Sequence, residues 1–180
     1  MKAVILGSGN VATVMVRLMQ QKGIEVLQVF SRNNTTAKVI SEHFSVPYTS
    51  DVEKIEKNTD FYLLCLSDSA YNENLSYLKS IDDKPVYHTA AAVSKEVLKN
   101  ISCNYGVIYP LQSLRKEMSV IPEIPFLIDA NNEQTETLAM TIAEKLGSSV
   151  VKASDAERLK IHVAAVLVNN FTNHLFALTE

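Results

Sequence analysis

The sequence predicts an α/β fold: a doubly wound, mostly parallel Rossmann sheet followed by a long helix that begins a helical C-terminal domain. Three observations carry this expectation. Residues 1–32 run strand, glycine turn, helix, strand; short apolar runs then alternate with amphipathic stretches as far as residue 153; and from Ser154 the pattern is helical.

The opening unit organises the rest. Val4, Ile5 and Leu6 form an apolar run ending on glycine, which suits a parallel strand buried on both faces. In the turn Gly7-Ser8-Gly9-Asn10-Val11-Ala12, Gly7 supplies freedom in φ and Gly9 removes a side chain where a pyrophosphate would press on the backbone. Ala12 lets the following helix, Thr13 to Lys22, lie close to the sheet. Unpaired N–H groups at the start of that helix point to an anion. Gly23 is a C-cap candidate and Ile24 to Phe30 reads as the second strand. The Gly-x-Gly-x-x-Ala spacing is common, but within a βαβ unit of about thirty residues it reads as a dinucleotide fingerprint rather than a glycine turn without a ligand.

The end of the second strand bears on which dinucleotide. An NAD-preferring site carries a carboxylate there for the ribose 2′-hydroxyl. This chain has Ser31-Arg32-Asn33-Asn34-Thr35-Thr36, a guanidinium among hydroxyl and amide groups, which matches a 2′-phosphate and hence NADP(H). The alternative is that Arg32 is a solvated loop charge.

Further along, Thr35 to Phe44 is an amphipathic helix and Val46 to Thr49 an edge piece, because Pro47 cannot donate to a ladder. Asp51 to Lys57 reads as a brief polar helix, and Asp60 to Leu66 as a strong strand. That strand places Leu66 and Ser67 on the nicotinamide side of the cofactor channel, with Ser67, Asp68 and Ser69 also eligible as plain N-caps. Tyr71 to Ser80 is expected to be the crossover helix. Lys84 to His88 is the next strand, delivering His88 and Thr89 as donors to the same sheet edge. A short helix (93–100), a strand (106–109), the stiff loop Pro110-Leu111-Gln112-Ser113-Leu114, a strand (124–129), a helix (132–146) closed by Gly147 and a last strand (149–152) complete seven or eight strands. The domain division is therefore 1–153 and 154–180.

Composition narrows the class. With 180 residues, 47% hydrophobic and 21% charged, the chain can bury one full core. A net charge of −3 with no basic cluster argues against nucleic acid as a partner. No apolar run is long enough for a membrane span and the N-terminus has no signal-peptide pattern, so a cytoplasmic protein is expected. Cys65 and Cys103 show neither a disulfide frame nor metal-ligand spacing, so no metal is expected.

Ser154-Asp155-Ala156-Glu157 has the form of a capping box, and the helical pattern runs from there to Glu180. Ile161 to Val168 is apolar nearly all round except for His162, so this helix expects protein on more than one side and suggests a homodimer. In projection His162, Asn169 and Asn173 fall within roughly 20° of one another, and Asn170 with His174 forms a second row about 100° away. Such a stripe either lines a wet cleft, as candidate groups for substrate binding and proton transfer, or sets register against a partner helix.

The blocks GSGNVA, VFSRN, LCLSD, VYHTA, GVIYPLQS, IPFLIDA and IHVAAVLVNNFTNHLFAL resemble the Rossmann-like family with a DUF2520 C-terminal domain, labelled NADP oxidoreductase or F420-dependent and related to pyrroline-5-carboxylate reductases. The resemblance implies an NADP-binding domain, a helical domain that dimerises, and an active cleft between them. By it, Gly7, Gly9, Asn10, Val11, Ser31, Arg32 and Ser67 match the cofactor site, and His88, His162, Asn169 and Asn170 match positions near the cleft. Family members continue through further helices, so this chain resembles a truncated form or fragment.

The expected function is an NADP(H)-dependent oxidoreductase moving a hydride to or from a small carbonyl or imine compound, with His162 or Asn169 as the polar group of the cleft. The rival is a non-catalytic NADP(H)-binding regulatory or scaffold dimer. Use of F420 beside NADP rests on the family label and ranks last.

Overall fold

The computed structural model describes residues 1–71, 73, 75–81 and 84–172, with no account of the side chains of Ser76, Lys79, Ser80, Asn170 and Phe171. Its strands are β1 (Lys2–Leu6), β2 (Glu25–Phe30), β3 (Tyr48–Thr49), β4 (Phe61–Leu64), β5 (Val86–His88), β6 (Tyr105–Pro110), β7 (Pro125–Ala130) and β8 (Ser149–Lys152). They form one sheet in the order β3-β2-β1-β4-β5-β6-β7-β8. Every adjacent pair is parallel except β6 and β7, which run antiparallel with Tyr109 opposite Leu127. The fold class is the expected one, and β3 lies at the sheet edge, where Pro47 puts it.

Helices α1 (Asn10–Gln21), α2 (Asn34–Phe44) and α4 (Glu133–Leu146) cover one face. Met15, Met19, Ile40, Ile142 and Leu146 pack there on Ile5, Phe61 and Phe126. The other face buries Val4, Leu6, Tyr62 and Leu64 under Tyr71, Leu78 and Leu98. These strands carry apolar side chains at successive positions because both faces are covered. Asn132 caps α4, its Oδ1 accepting from Thr135 N at 2.9 Å.

Connections on the second face are shorter than expected. Where a crossover helix over 71–80 is expected, the described residues form a four-residue helix, α3 (Asp68–Tyr71), and a 3-10 segment (Leu75–Ile81); the asparagines and serines in this part of the sequence are poor α-helix formers. Val52–Lys54 and Lys95–Leu98 are likewise 3-10 turns, capped by Asp51 and Ser94. Short segments of this kind return too little for the cost of nucleating an α-helix.

Helix α5 (Asp155–Val166) opens with the expected capping box, Ser154 Oγ accepting from Glu157 N and the Glu157 carboxylate from Ser154 N. It passes into a π turn at Leu167–Phe171 rather than continuing as a uniform α-helix. The expected polar positions Asn173 and His174 lie outside the described residues, as does the Asn170 side chain.

Candidate functional site

The glycine turn is pinned from both sides. Gly7 N donates to Phe30 O at 2.8 Å and Cys65 N to Leu6 O at 2.7 Å, so the turn sits between the ends of β2 and β4. Gly7 has φ +128°, and a Cβ there would stand 2.2 Å from the Cys65 carbonyl oxygen. Gly9 is different: a Cβ built on it meets nothing within 4 Å, and no side chain caps α1. Open space therefore faces the uncapped start of a helix, which suits an anion pressed against the backbone.

A cavity of about 290 Å³ opens at this point, lined by Gly7, Ser8, Gly9, Ser31 and Arg32, with Leu66 and Ser67 beyond them. Ser8 Oγ lies 2.8 Å from Ser31 Oγ and also bonds Thr36 Oγ1, while Ser31 Oγ accepts from Asn33 N at 3.2 Å. These bonds tie the loop after β2 to the turn. Arg32 is exposed but paired, its Nη1 lying 2.6 Å from Glu73 Oε2. The hydrogen bond to Glu73 and the charge behind it raise the guanidinium above its ordinary pKa. These groups fit a dinucleotide: donors for a pyrophosphate at the turn and a cation where an adenosine ribose would lie.

Two predicted cofactor residues stand outside the cavity. Asn10 Oδ1 accepts from Lys116 N at 3.4 Å, and Arg17 donates to the Met118 carbonyl, so the loop after β6 is fastened to α1. Val11 is partly buried against the core.

A second cavity, about 300 Å³, lies between that loop and α5 and is lined by Tyr109, Gln112, Ser113, His162 and Asn169. Tyr109 Oη is 2.8 Å from His162 Nδ1, with the rings edge to face. Asn169 Nδ2 donates to Ser113 Oγ at 2.8 Å. Burial pushes the Tyr109 hydroxyl above its ordinary pKa; the Asp68 charge adds to this and Arg158 opposes it. His162 and Asn169, expected from the sequence, line this cavity, and so does Tyr109, which the sequence did not single out. Its signal was a hydroxyl near the carboxyl end of an apolar strand, the edge at which such sheets bind ligands.

His88, expected near the cleft, is a correction: it is 0% exposed and lines neither cavity. Its Nδ1 accepts from Ala90 N at 3.1 Å, and its ring packs against Tyr71. Burial first and the Arg158 charge second lower its pKa to about 3, against weaker opposition from Asp155 and the Ser94 backbone. A group held neutral in this way does not exchange protons with a substrate near neutral pH.

The same burial gives a pH dependence. An unfolded histidine takes up a proton below about pH 6.5, whereas folded His88 does so only near pH 3. Stability should fall as pH drops through that window, by at most about 1.4 kcal/mol per pH unit from this group. In urea unfolding between about pH 6 and 4, His88→Gln should flatten the slope; an unchanged slope would assign the acid sensitivity to other groups.

Arg158 explains how α5 is held. Its side chain is 1% exposed; Nε donates to Ala91 O at 3.1 Å, and Nη2 to Val93 O at 2.6 Å and to Asp155 Oδ1 at 2.7 Å. Burial alone would raise the Asp155 carboxyl, but donors from Ser94, Arg158 and Lys95 outweigh it and hold the pKa down. Lys95 Nζ also reaches Asp129 Oδ2 at 2.6 Å. The start of α5 is thus clamped to the loop that leaves β5.

Residues 2–91 match the family model described as NADP oxidoreductase coenzyme F420-dependent. A Bacteroides fragilis protein described as an NADP oxidoreductase is 32% identical, with a TM-score of 0.90 over 98% of this chain and 70% of that one. The chain belongs to this NADP oxidoreductase family. Its residues 124–180 also match a domain of unknown function, DUF2520. An imine reductase from Myxococcus stipitatus in complex with NADP+ shares the fold, with 12% identity, a TM-score of 0.68, and coverage of 99% of this chain and 64% of that one. A glycerol-3-phosphate dehydrogenase [NAD(P)+] of Staphylococcus haemolyticus is 24% identical over 116 residues, 56% of this chain and 35% of that protein. The chain spans 17% to 35% of the length of the curated relatives it matches. Among the described residues, no helix is long and apolar enough to cross a membrane.

Proposed function

We propose that this chain is the nucleotide-binding part of an NADP(H)-dependent oxidoreductase that moves a hydride to or from a small carbonyl or imine compound. The reaction would take place between the Rossmann unit, residues 1–153, and the helical segment that begins at 154. The observation that carries the proposal is the open backbone at Gly9, with Arg32 lining the same cavity. The Tyr109–His162 pair supports it from a separate cleft on β6 and α5.

When bound, the nicotinamide supplies or accepts the hydride. The chain's own groups have other tasks. The turn and the N-terminus of α1 hold the pyrophosphate, and Arg32 takes the 2′-phosphate in place of the Glu73 carboxylate. His162 and Asn169 offer hydrogen bonds to the reacting substrate. His162 lines a cleft of this chain together with Tyr109 and Asn169, as the catalytic reading requires. A homodimer through the terminal helix belongs to the same proposal, since Leu159, Val163, Val166, Leu167 and Val168 are exposed on it.

Cofactor choice is tested by calorimetry with NADPH and NADH. NADPH should bind more tightly, and Arg32→Asp should weaken it by about 10- to 100-fold while sparing NADH, as expected for loss of a charge-assisted contact. Equal affinity of the native protein for both would remove the case for a 2′-phosphate site.

A further inference from the structure

We propose that Tyr109 is the catalytic residue that hands a proton to the substrate, with His162 behind it as its proton source. This deepens the hydride-transfer reading and depends on it.

Four features place Tyr109 in that position. It lies on β6, which runs parallel to β5, β4 and β1, so its end of the strand opens on the same sheet edge as the glycine turn. Strand pairing opposite Leu127 fixes its backbone, whereas a loop residue would be free to drift. Its hydroxyl lies within electrostatic reach of Asp68, which directly follows Ser67 of the cofactor cavity, and of Arg158, one helical turn before His162. It also lines the second cavity beside its 2.8 Å partner, His162 Nδ1. Tyr109 therefore stands near the carboxyl end of β6 in the cleft it shares with α5, and His162 is one hydrogen bond further on.

The proton step balances. In the reducing direction the substrate carbon accepts the hydride pair, and the C=O or C=N π pair moves onto the heteroatom. The Tyr109 O–H bond breaks to protonate that atom. The phenolate then takes the proton from Nδ1 of a His162 imidazolium, which is recharged from solvent. One hydride and one proton are added overall. The Tyr109–His162 bond serves both states, because a neutral imidazole accepts from Oη and an imidazolium donates to it. Burial keeps Tyr109 protonated at rest, with Asp68 reinforcing this and Arg158 opposing it.

The deciding measurement is NMR of the protein carrying 13C at tyrosine Cζ, with the Tyr109 line assigned by Tyr109→Phe. Adding NADP+ should shift that line, whereas adenosine 2′-monophosphate, which lacks the nicotinamide, should leave it in place. If NADP+ binds and the Tyr109 line does not move, Tyr109 does not face the ring and the proposal is overturned. If NADP+ does not bind at all, the underlying cofactor assignment fails instead.

With 1-pyrroline and acetaldehyde as imine and carbonyl probes, Tyr109→Phe should lower kcat about 10²- to 10⁴-fold on any probe that is reduced. KM and NADPH affinity should stay near the native values. His162→Gln should add little to that loss in the double variant, because the two groups act in series. A Tyr109→Phe protein with native kcat would make His162 the direct donor.

Discussion

Replacing Gly7 by alanine is expected to cost about 2–6 kcal/mol of stability and to remove dinucleotide binding, the range being the sum of overpacking and backbone strain. The added methyl would stand 2.2 Å from the Cys65 carbonyl oxygen and 2.8 Å from its carbon, and φ is +128°. Neither obstacle is a flexible side-chain end, so β1 or β4 would have to move. Against a typical total of about 5–15 kcal/mol, that is a large fraction. Gly9→Ala separates stability from binding, because its Cβ meets no protein atom within 4 Å at a φ of −88°. Urea unfolding should find Gly9→Ala close to native, while calorimetry should find its NADPH affinity reduced. A Gly7→Ala protein as stable as the native one would show that the turn does not press on the β4 exit.

What could be read from the sequence was what depends on neighbours in the chain. Strands such as Phe61–Leu64 announce themselves because both faces are buried and every position is apolar. The Gly7 and Gly9 turn and the Ser154 capping box are local patterns with local causes, and both recur in the structure. Strand direction is another matter: Pro125–Ala130 has the composition of a buried strand either way, and only its pairing in the sheet shows it antiparallel to β6. Arg158 has no local signature, because its acceptors at Ala91 and Val93 lie more than sixty residues away. Arg32 was placed correctly at the end of β2, but its pairing with Glu73, 41 residues on, has no local signature. Tyr109 passed as an ordinary strand former, and His88 drew attention as a histidine at a strand end. Only burial and partners distinguish them: one lines a cleft and the other is sealed.

Arg158→Met should destabilise the protein by about 2–6 kcal/mol, since it leaves two backbone acceptors unpaired at about 1–3 kcal/mol each, while Asp155, 35% exposed, adds less. The guanidinium donates to two backbone carbonyls and to Asp155. Methionine fills much of the volume but leaves those acceptors unpaired. Arg158→Lys should recover only part of the loss, since one ammonium cannot reproduce the planar fork that reaches Ala91, Val93 and Asp155 together. The acid limb should change as well. The folded pKa of Asp155 is depressed, so its stabilising contribution is present above the unfolded carboxylate range and lost as pH falls through the folded value. Without Arg158 that depression shrinks to what the Ser94 and Lys95 donors maintain, so the loss should be smaller and be complete at a higher pH. NADPH affinity should change little, because Arg158 does not line the cofactor cavity. Turnover should fall, because His162 lies one turn further along the helix that Arg158 anchors. That split, with cofactor binding kept and turnover lost, distinguishes a clamp on α5 from a general unfolding of the sheet; parallel loss of both would mean that the start of α5 supports the whole domain.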